Sequence, residues 1–360
     1  MSTEHSVPQN PKVTVLMSVY NGERYLNEAV DSILSQTFTD FEFLIIDDAS
    51  TDRTPEILRS YNDPRIRVVT NEENLGLTKS LNKGLALAKG EYIARMDADD
   101  VSYPYRLQVQ HEFMTQHPGA GIIGSWAEYI DRKGEIVHRY KAPISPEENY
   151  FYLRFQNCIV HSSVMFRKDI IISNNGYDES INRAQDFELW NRLSKAIEIY
   201  QIPEYLVQWR DESSVDPEKI EAQNKTWEQV LRKECWRLTQ MAIDESTVEM
   251  IMFPPQHTDV LSLRRYGCEE YAKTIETLRQ FHQQILKNAL MSLDKELLES
   301  LCKKQLLRYI ISVGMCTNIS KTFRILVSSQ YLDNGREKIN VMTKIAYFKL
   351  RNFIGAFVTR

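Results

Sequence analysis

The apolar positions change period along the chain, and the changes mark out alternating elements. Val13 to Val19 is a continuous apolar and β-branched run, the pattern of a strand buried on both faces. From Glu23 to Gln36 the apolar residues Tyr25, Leu26, Ala29, Val30, Ile33 and Leu34 keep helical spacing. Phe41 to Ile46 is a second strand closing on Asp47-Asp48, and Thr51-Asp52 with Pro55 makes a helix start. Ile66 to Val69 is a third strand, Leu77 to Lys89 a helix ended by Gly90, and Glu91 to Ala94 opens a fourth strand running into Asp97. Strands alternating with helices predict a parallel sheet with right-handed crossovers, whose ligands bind beyond the carboxyl ends of the strands. Tyr20-Asn21, Asp47-Asp48 and Asp97-Ala98-Asp99 all fall at such ends.

Beyond residue 100 the pattern becomes mixed. Tyr105 to His117 is a helix stopped by Pro118; residues 121–140 and 158–166 read as strands. Asp186 to Ala196 is a helix with Phe187, Leu189, Trp190 and Leu193 on its apolar side. Ile197 to Gln201 and Tyr205 to Trp209 read as short strands around Pro203. From about 218 onward apolar and charged residues mix at helical spacing, with a break at Pro254-Pro255. The expected architecture is α/β, a Rossmann-like mixed sheet flanked by helices over residues 1–217, followed by a mainly α-helical region over 218–360.

Charge sharpens this division. The total is −5, too weak to argue for nucleic acid. Residues 321–360 hold eight Lys/Arg against Asp333 and Glu337, a net of +6 that leaves −11 for the remainder. In the final stretch Ile345, Phe348, Phe353, Ile354, Phe357 and Val358 are interspersed with Lys and Arg. Two readings stand for 340–360: an interfacial helix on anionic lipid, and a terminal helix docked on the body. The five cysteines (158, 235, 268, 302, 316) are scattered and never form a C-x-x-C pair, as in reduced, packed thiols. Residues 1–12 lack a signal-peptide core, and no run reaches the roughly 18 apolar residues of a membrane span. A cytoplasmic protein, free or peripheral to the membrane, is expected.

The chemistry concentrates in Arg95-Met-Asp97-Ala-Asp99-Asp100. Three acids within four residues repel one another unless a cation or a positive ligand neutralises them. Asp97 and Asp99 are two apart, so on an extended strand both point the same way, and hard oxygens so placed suit Mg²⁺ or Mn²⁺ carrying a phosphate. A solvated acidic turn is the plainer reading.

Lys12 to Glu23, Ile45-Ile-Asp-Asp-Ala-Ser-Thr-Asp52, Gly90 to Asp100, Asn157-Cys-Ile-Val-His161 and Gln185-Asp186-Phe-Glu-Leu-Trp190 together resemble the family 2 glycosyltransferases with the GT-A fold. The resemblance covers about residues 12–215. It implies a nucleotide-sugar donor, preferably a UDP-sugar, a divalent cation (Mn²⁺ or Mg²⁺), and inverting transfer to a glycan or lipid-linked acceptor in cell-surface polysaccharide biosynthesis. It also implies that Val19, Tyr20, Asn21, Glu23, Asp48, Asp97, Ala98 and Asp99 bind the nucleotide-sugar. Asp48 would read the base, or else cap a helix; Tyr20 would line the pocket, or else be an ordinary core tyrosine. Asp99 would bind the cation with Asp97 nearer the ribose, while Asp100 stays solvated or assists from outside. His161 is a further metal candidate, or a satisfied half-buried histidine. Asp186 is the candidate base; the family usually shows Glu-Asp where this chain has Gln185-Asp186.

Gln208-Trp209-Arg210 departs from the Gln-x-x-Arg-Trp order of processive members, which predicts transfer of a single sugar. Arg210 would contact donor phosphates or pair with Asp211 or Glu212. Two alternatives remain at this level: a non-catalytic carbohydrate-binding protein on the same scaffold, and a haloacid dehalogenase-like phosphatase suggested by Asp97-Ala-Asp-Asp-Val101.

Overall fold

The computed structural model describes residues 10–210, 217–240, 242–244, 247–248, 251, 268–289 and 293–316. The 340–360 segment, and Asp211 and Glu212, lie outside the described residues. The chain divides into two compact units, Met1–Trp227 and Glu228–Arg360.

The first unit is built on one mixed sheet, with nine strands among the described residues. Strands β1 (Val13–Val19), β2 (Phe41–Asp47), β3 (Ile66–Thr70) and β4 (Tyr92–Asp97) pair in parallel in the order β3-β2-β1-β4. Every residue of β1 is buried, as its unbroken apolar run requires. Of its two hydroxyl side chains, Thr14 and Ser18, Thr14 donates to Glu42 Oε1 at 2.7 Å. On one face Val13, Val15, Met17 and Val19 join Phe43 and Ile45 in a core shared with helices α1 (Leu26–Leu34), α2 (Thr54–Ser60) and α4 (Arg106–Gln116). On the other face lies α3 (Leu77–Leu87), whose Gly84 has no side chain where a Cβ would meet Leu16 Cδ1 at 2.3 Å.

Beyond β4 the sheet is mixed, with antiparallel pairs beside one long parallel pair. A two-residue β5 (Val101–Ser102) pairs with β9 (Glu198–Arg210), and β8 (Met165–Arg167) bridges β4 and β6 (Ala120–Ile130). Strand β7 (Ile136–Tyr140) forms a hairpin with β6, and helices α5 (Pro146–Tyr152), α6 (Lys168–Ser173) and α7 (Gln185–Leu193) complete the unit.

Several expected boundaries shift for local reasons. The strand expected over 158–166 is a loop and a 3₁₀ turn (His161–Ser163) before the three-residue β8. Ser163 donates its hydroxyl to Val160 O at 2.7 Å, and such local bonds compete with a strand ladder. The two short strands around Pro203 are one strand, β9, whose pairing with β6 slips between Ser125 and Ala127. Residues 121–140 are two strands, separated where Asp131 Oδ1 accepts from the N–H groups of Lys133 (2.8 Å) and Glu135 (2.9 Å). Helix α1 begins at Leu26 rather than Glu23, whose N–H donates to Asp52 instead.

Helix α8 (Pro217–Thr239) starts in the first unit and ends in the second. In the second unit α9 (Cys268–Asn288) and α10 (Lys295–Cys316) bury Ile275, Leu278, Phe281 and Ile285, and Leu298, Leu301 and Cys302. Cys158, Cys235 and Cys302 are buried free thiols, as the scattered spacing predicted. No helix among the described residues is long and apolar enough to cross a membrane.

Candidate active site

The carboxyl ends of β1, β2 and β4 deliver Tyr20, Asp48 and Asp97 to a cavity of about 820 Å³. His161 and Asp186, from the part of the chain that follows β4, line the same cavity.

Asp48 is buried yet densely bonded. Its Oδ1 accepts from Asn71 Nδ2 (2.6 Å), Leu75 N (2.9 Å) and Ser80 Oγ (2.9 Å), and its Oδ2 accepts from Gly76 N at 2.9 Å. Burial alone raises its pKa, but these bonds outweigh burial and hold the carboxyl below the usual range. Asp48 does not cap α2, where Asp52 accepts from Thr54 N at 2.9 Å; the backbone partners of Asp48, Leu75 N and Gly76 N, lie just ahead of α3. Tyr20 is half exposed, which excludes an ordinary core tyrosine. Val19 is buried in the core. Asn21 Oδ1 accepts from Thr51 N at 2.8 Å and Glu23 Oε2 from Arg53 N at 3.1 Å, so both hold the loop that follows Asp48.

Asp97 is clamped. Both its oxygens pair with the guanidinium of Arg95, a fully buried side chain on the same strand. Ser162 Oγ accepts from Arg95 (3.0 Å) and from Asp97 N (3.1 Å). Burial disfavours the charge on Arg95, but Asp97 more than restores it and raises its pKa. Sequence reasoning passed over Arg95, although an arginine inside an otherwise apolar strand is itself a signal.

Asp97, Asp99 and Asp100 bring carboxylate oxygens within 4.8 Å of one another. Asp100 is not solvated as expected: it is fully buried, because Arg210 N donates to its Oδ1 at 2.7 Å and folds the turn inward. Its Oδ2 is buried without a hydrogen-bond partner. Burial first, then Asp99 and Asp97, push its pKa well above the ordinary value. An orphaned buried oxygen beside two further carboxylates is a donor set that fits a hard divalent cation. Arg210 holds this turn from behind. Its guanidinium donates to the carbonyls of Asp99 (2.9 Å) and Asp131 (2.7 Å) and to Glu28 Oε2 (2.7 Å).

His161 Nε2 lies 2.7 Å from the Tyr177 hydroxyl, and burial followed by nearby Arg95 keeps the imidazole neutral. Asp186 is the second residue of α7, not its N-cap, which is Ala184. Asn157 Nδ2 donates to Asp186 Oδ2 at 2.7 Å. Burial raises the Asp186 pKa, and the bonds from Phe187 N and Asn157 offset this only in part. Three non-glycine residues beside this machinery have left-handed backbones: Asn21 (φ 52°), Ala49 (φ 60°) and Ala184 (φ 53°). Such strain gathers at functional sites.

A family model for glycosyl transferase family 2 matches residues 14–174. An uncharacterized glycosyltransferase of Methanocaldococcus jannaschii is 36% identical over 210 residues, covering 56% of this chain and 71% of that one. The O-antigen biosynthesis glycosyltransferase WbnJ of Escherichia coli is 35% identical over 184 residues, covering 50% and 71%. The chain belongs to glycosyltransferase family 2. A crystal structure of S. aureus TarS in complex with UDP-GlcNAc superposes with a TM-score of 0.54 at 20% identity, covering 84% of this chain and 90% of that one. The mixed sheet with flanking helices is the GT-A architecture that the resemblance implied. Family membership sets the phosphatase alternative aside.

Proposed function

We propose that the protein transfers one sugar, with inversion, from a UDP-sugar to a hydroxyl of a glycan or lipid-linked acceptor in polysaccharide biosynthesis. The observation that carries this reading is the placement of Asp48 and Asp97 in the same cavity as Asp186. Asp48 retains acceptor capacity on Oδ2, suited to the imide N–H of uracil. The Arg95–Ser162 clamp fixes the Asp97 carboxylate, and we assign it to the ribose side of the donor.

Asp99 would hold the cation, with the unpartnered Oδ2 of Asp100 beside it; His161, its Nε2 engaged by Tyr177, has only Nδ1 to offer. Bound Mn²⁺ or Mg²⁺ would supply neutralisation of charge on the departing diphosphate. Asp186 takes the acceptor hydroxyl proton as that oxygen attacks C1 of the sugar and the bond from C1 to the diphosphate oxygen breaks. Asn157 Nδ2 and Phe187 N hold the carboxylate in place for that transfer.

Thermal stabilisation by nucleotide sugars tests the reading, since a ligand that binds only the folded state raises its apparent stability. A UDP-sugar should raise Tm with Mn²⁺ and much less with chelator, and Asp99→Ala should abolish the difference. Stabilisation by no nucleotide sugar, with or without metal, sinks the donor assignment.

A further inference from the structure

The donor residues occupy only part of the cavity. Elsewhere its wall is aromatic: Tyr129, Tyr140, Trp209 and Trp227 all line it, and each is partly exposed. Three of them form one contiguous set. Tyr129 and Trp209 are register partners on β6 and β9, with rings 4.4 Å apart and nearly perpendicular. Tyr140 on β7 lies 6.2 Å from Tyr129, and its hydroxyl donates to Cys158 O at 3.2 Å, which fixes the ring. Trp227 on α8 approaches the start of α7 through Phe187, the residue after Asp186.

The geometry points to a binding subsite for an uncharged pyranose ring, the terminal sugar of the acceptor, held on Tyr129, Tyr140 and Trp209 with its hydroxyl presented to Asp186. The faces of aromatic rings carry partial negative charge and attract the polarised C–H face of a sugar. Preset rings restrict that ring at little entropic cost. The amides of Gln156 and Gln223, also on the cavity wall, offer donors and acceptors for its equatorial hydroxyls. None of the aromatic members is charged. Arg183, a cation on the same wall, is exposed and screened by solvent, whereas Asp186 is more deeply buried, so an acidic sugar would meet net repulsion from its carboxylate. A volume near the upper end of that seen for single-ligand sites leaves room for an acceptor sugar beside a donor. As an acceptor site the inference rests on the transferase reading; as a sugar site it does not.

Saturation-transfer NMR on the full chain decides it, with methyl glucoside, methyl galactoside, methyl N-acetylglucosaminide, methyl glucuronide and tetramethylammonium as probes. At least one neutral glycoside should bind saturably and the glucuronide more weakly. Trp209→Leu should weaken that binding about tenfold or more, Trp209→Phe should largely restore it, and the stabilisation by UDP-sugar should be unchanged in both. Preference for glucuronide, binding of tetramethylammonium alone as in an aromatic cage, no saturable signal from any neutral glycoside, or Trp209→Leu indistinguishable from wild type would each overturn the inference. If UDP-sugars fail to bind while neutral glycosides do, the donor assignment falls and the sugar subsite survives.

Discussion

At the residue scale, the bond between Asn157 and Asp186 would set the working range of the proposed base. Asp186→Asn should lower kcat by about 10²–10⁴-fold, with donor stabilisation retained. Because burial holds the carboxyl above its ordinary range, activity should fall as pH drops through that raised pKa, where the base becomes protonated. Asn157 donates to the charged form and so lowers this pKa. Asn157→Ala should therefore move the acidic limb of the kcat profile to higher pH, and an unmoved limb would separate Asp186 from the proton transfer. Ala184, left-handed two residues earlier, should respond differently. Ala184→Gly relieves a backbone cost of about 1–2 kcal/mol and should raise stability by up to that amount, while turnover drops because the approach to Asp186 loosens. Denaturant melts and steady-state rates measure the two effects together.

At the element scale, β4, β5 and β9 meet where Arg210 pins the Asp99–Asp100 turn. Arg210→Ala should cost about 1–2 kcal/mol, because the part-buried carbonyls of Asp99 and Asp131 lose their donor, while half-exposed Glu28 returns to water. Metal-dependent donor stabilisation should weaken with it. The elements themselves were largely legible. The parallel strands announce themselves as unbroken apolar runs, and Asp48 and Asp97 follow as their terminal residues. What escaped reading depends on contacts distant in sequence. Arg210 reaches Glu28 across 182 positions of sequence, and Ser162 meets Asp97 only because the 3₁₀ turn replaces an expected strand. The burial of Asp100 follows from Arg210 N, a partner no local pattern discloses. Asn21 and Glu23 sat in the right motif, but their side chains serve the 50–53 loop, a choice that side-chain geometry makes and spacing does not.

At the scale of the whole molecule, the second unit carries its own pH sensitivity. His282 is buried with Nε2 2.6 Å from Gln305 Oε1, and burial lowers its pKa to about 4. The unfolded chain binds the proton near pH 6.5, so stability from this group is complete above that pH and is lost as pH falls toward 4. The loss amounts to roughly 3 kcal/mol. Denaturant melts at pH 7 and pH 4.5 should show it, and His282→Gln should reduce the difference. The division between the units has a further consequence. It falls at Trp227–Glu228, inside the 23-residue α8 and not in a tether. The turns that carry Gln223 and Trp227, both on the cavity wall, belong to that helix. Glu228→Pro, which breaks the helix next to them, should loosen both side chains and weaken glycoside binding, read by saturation-transfer NMR.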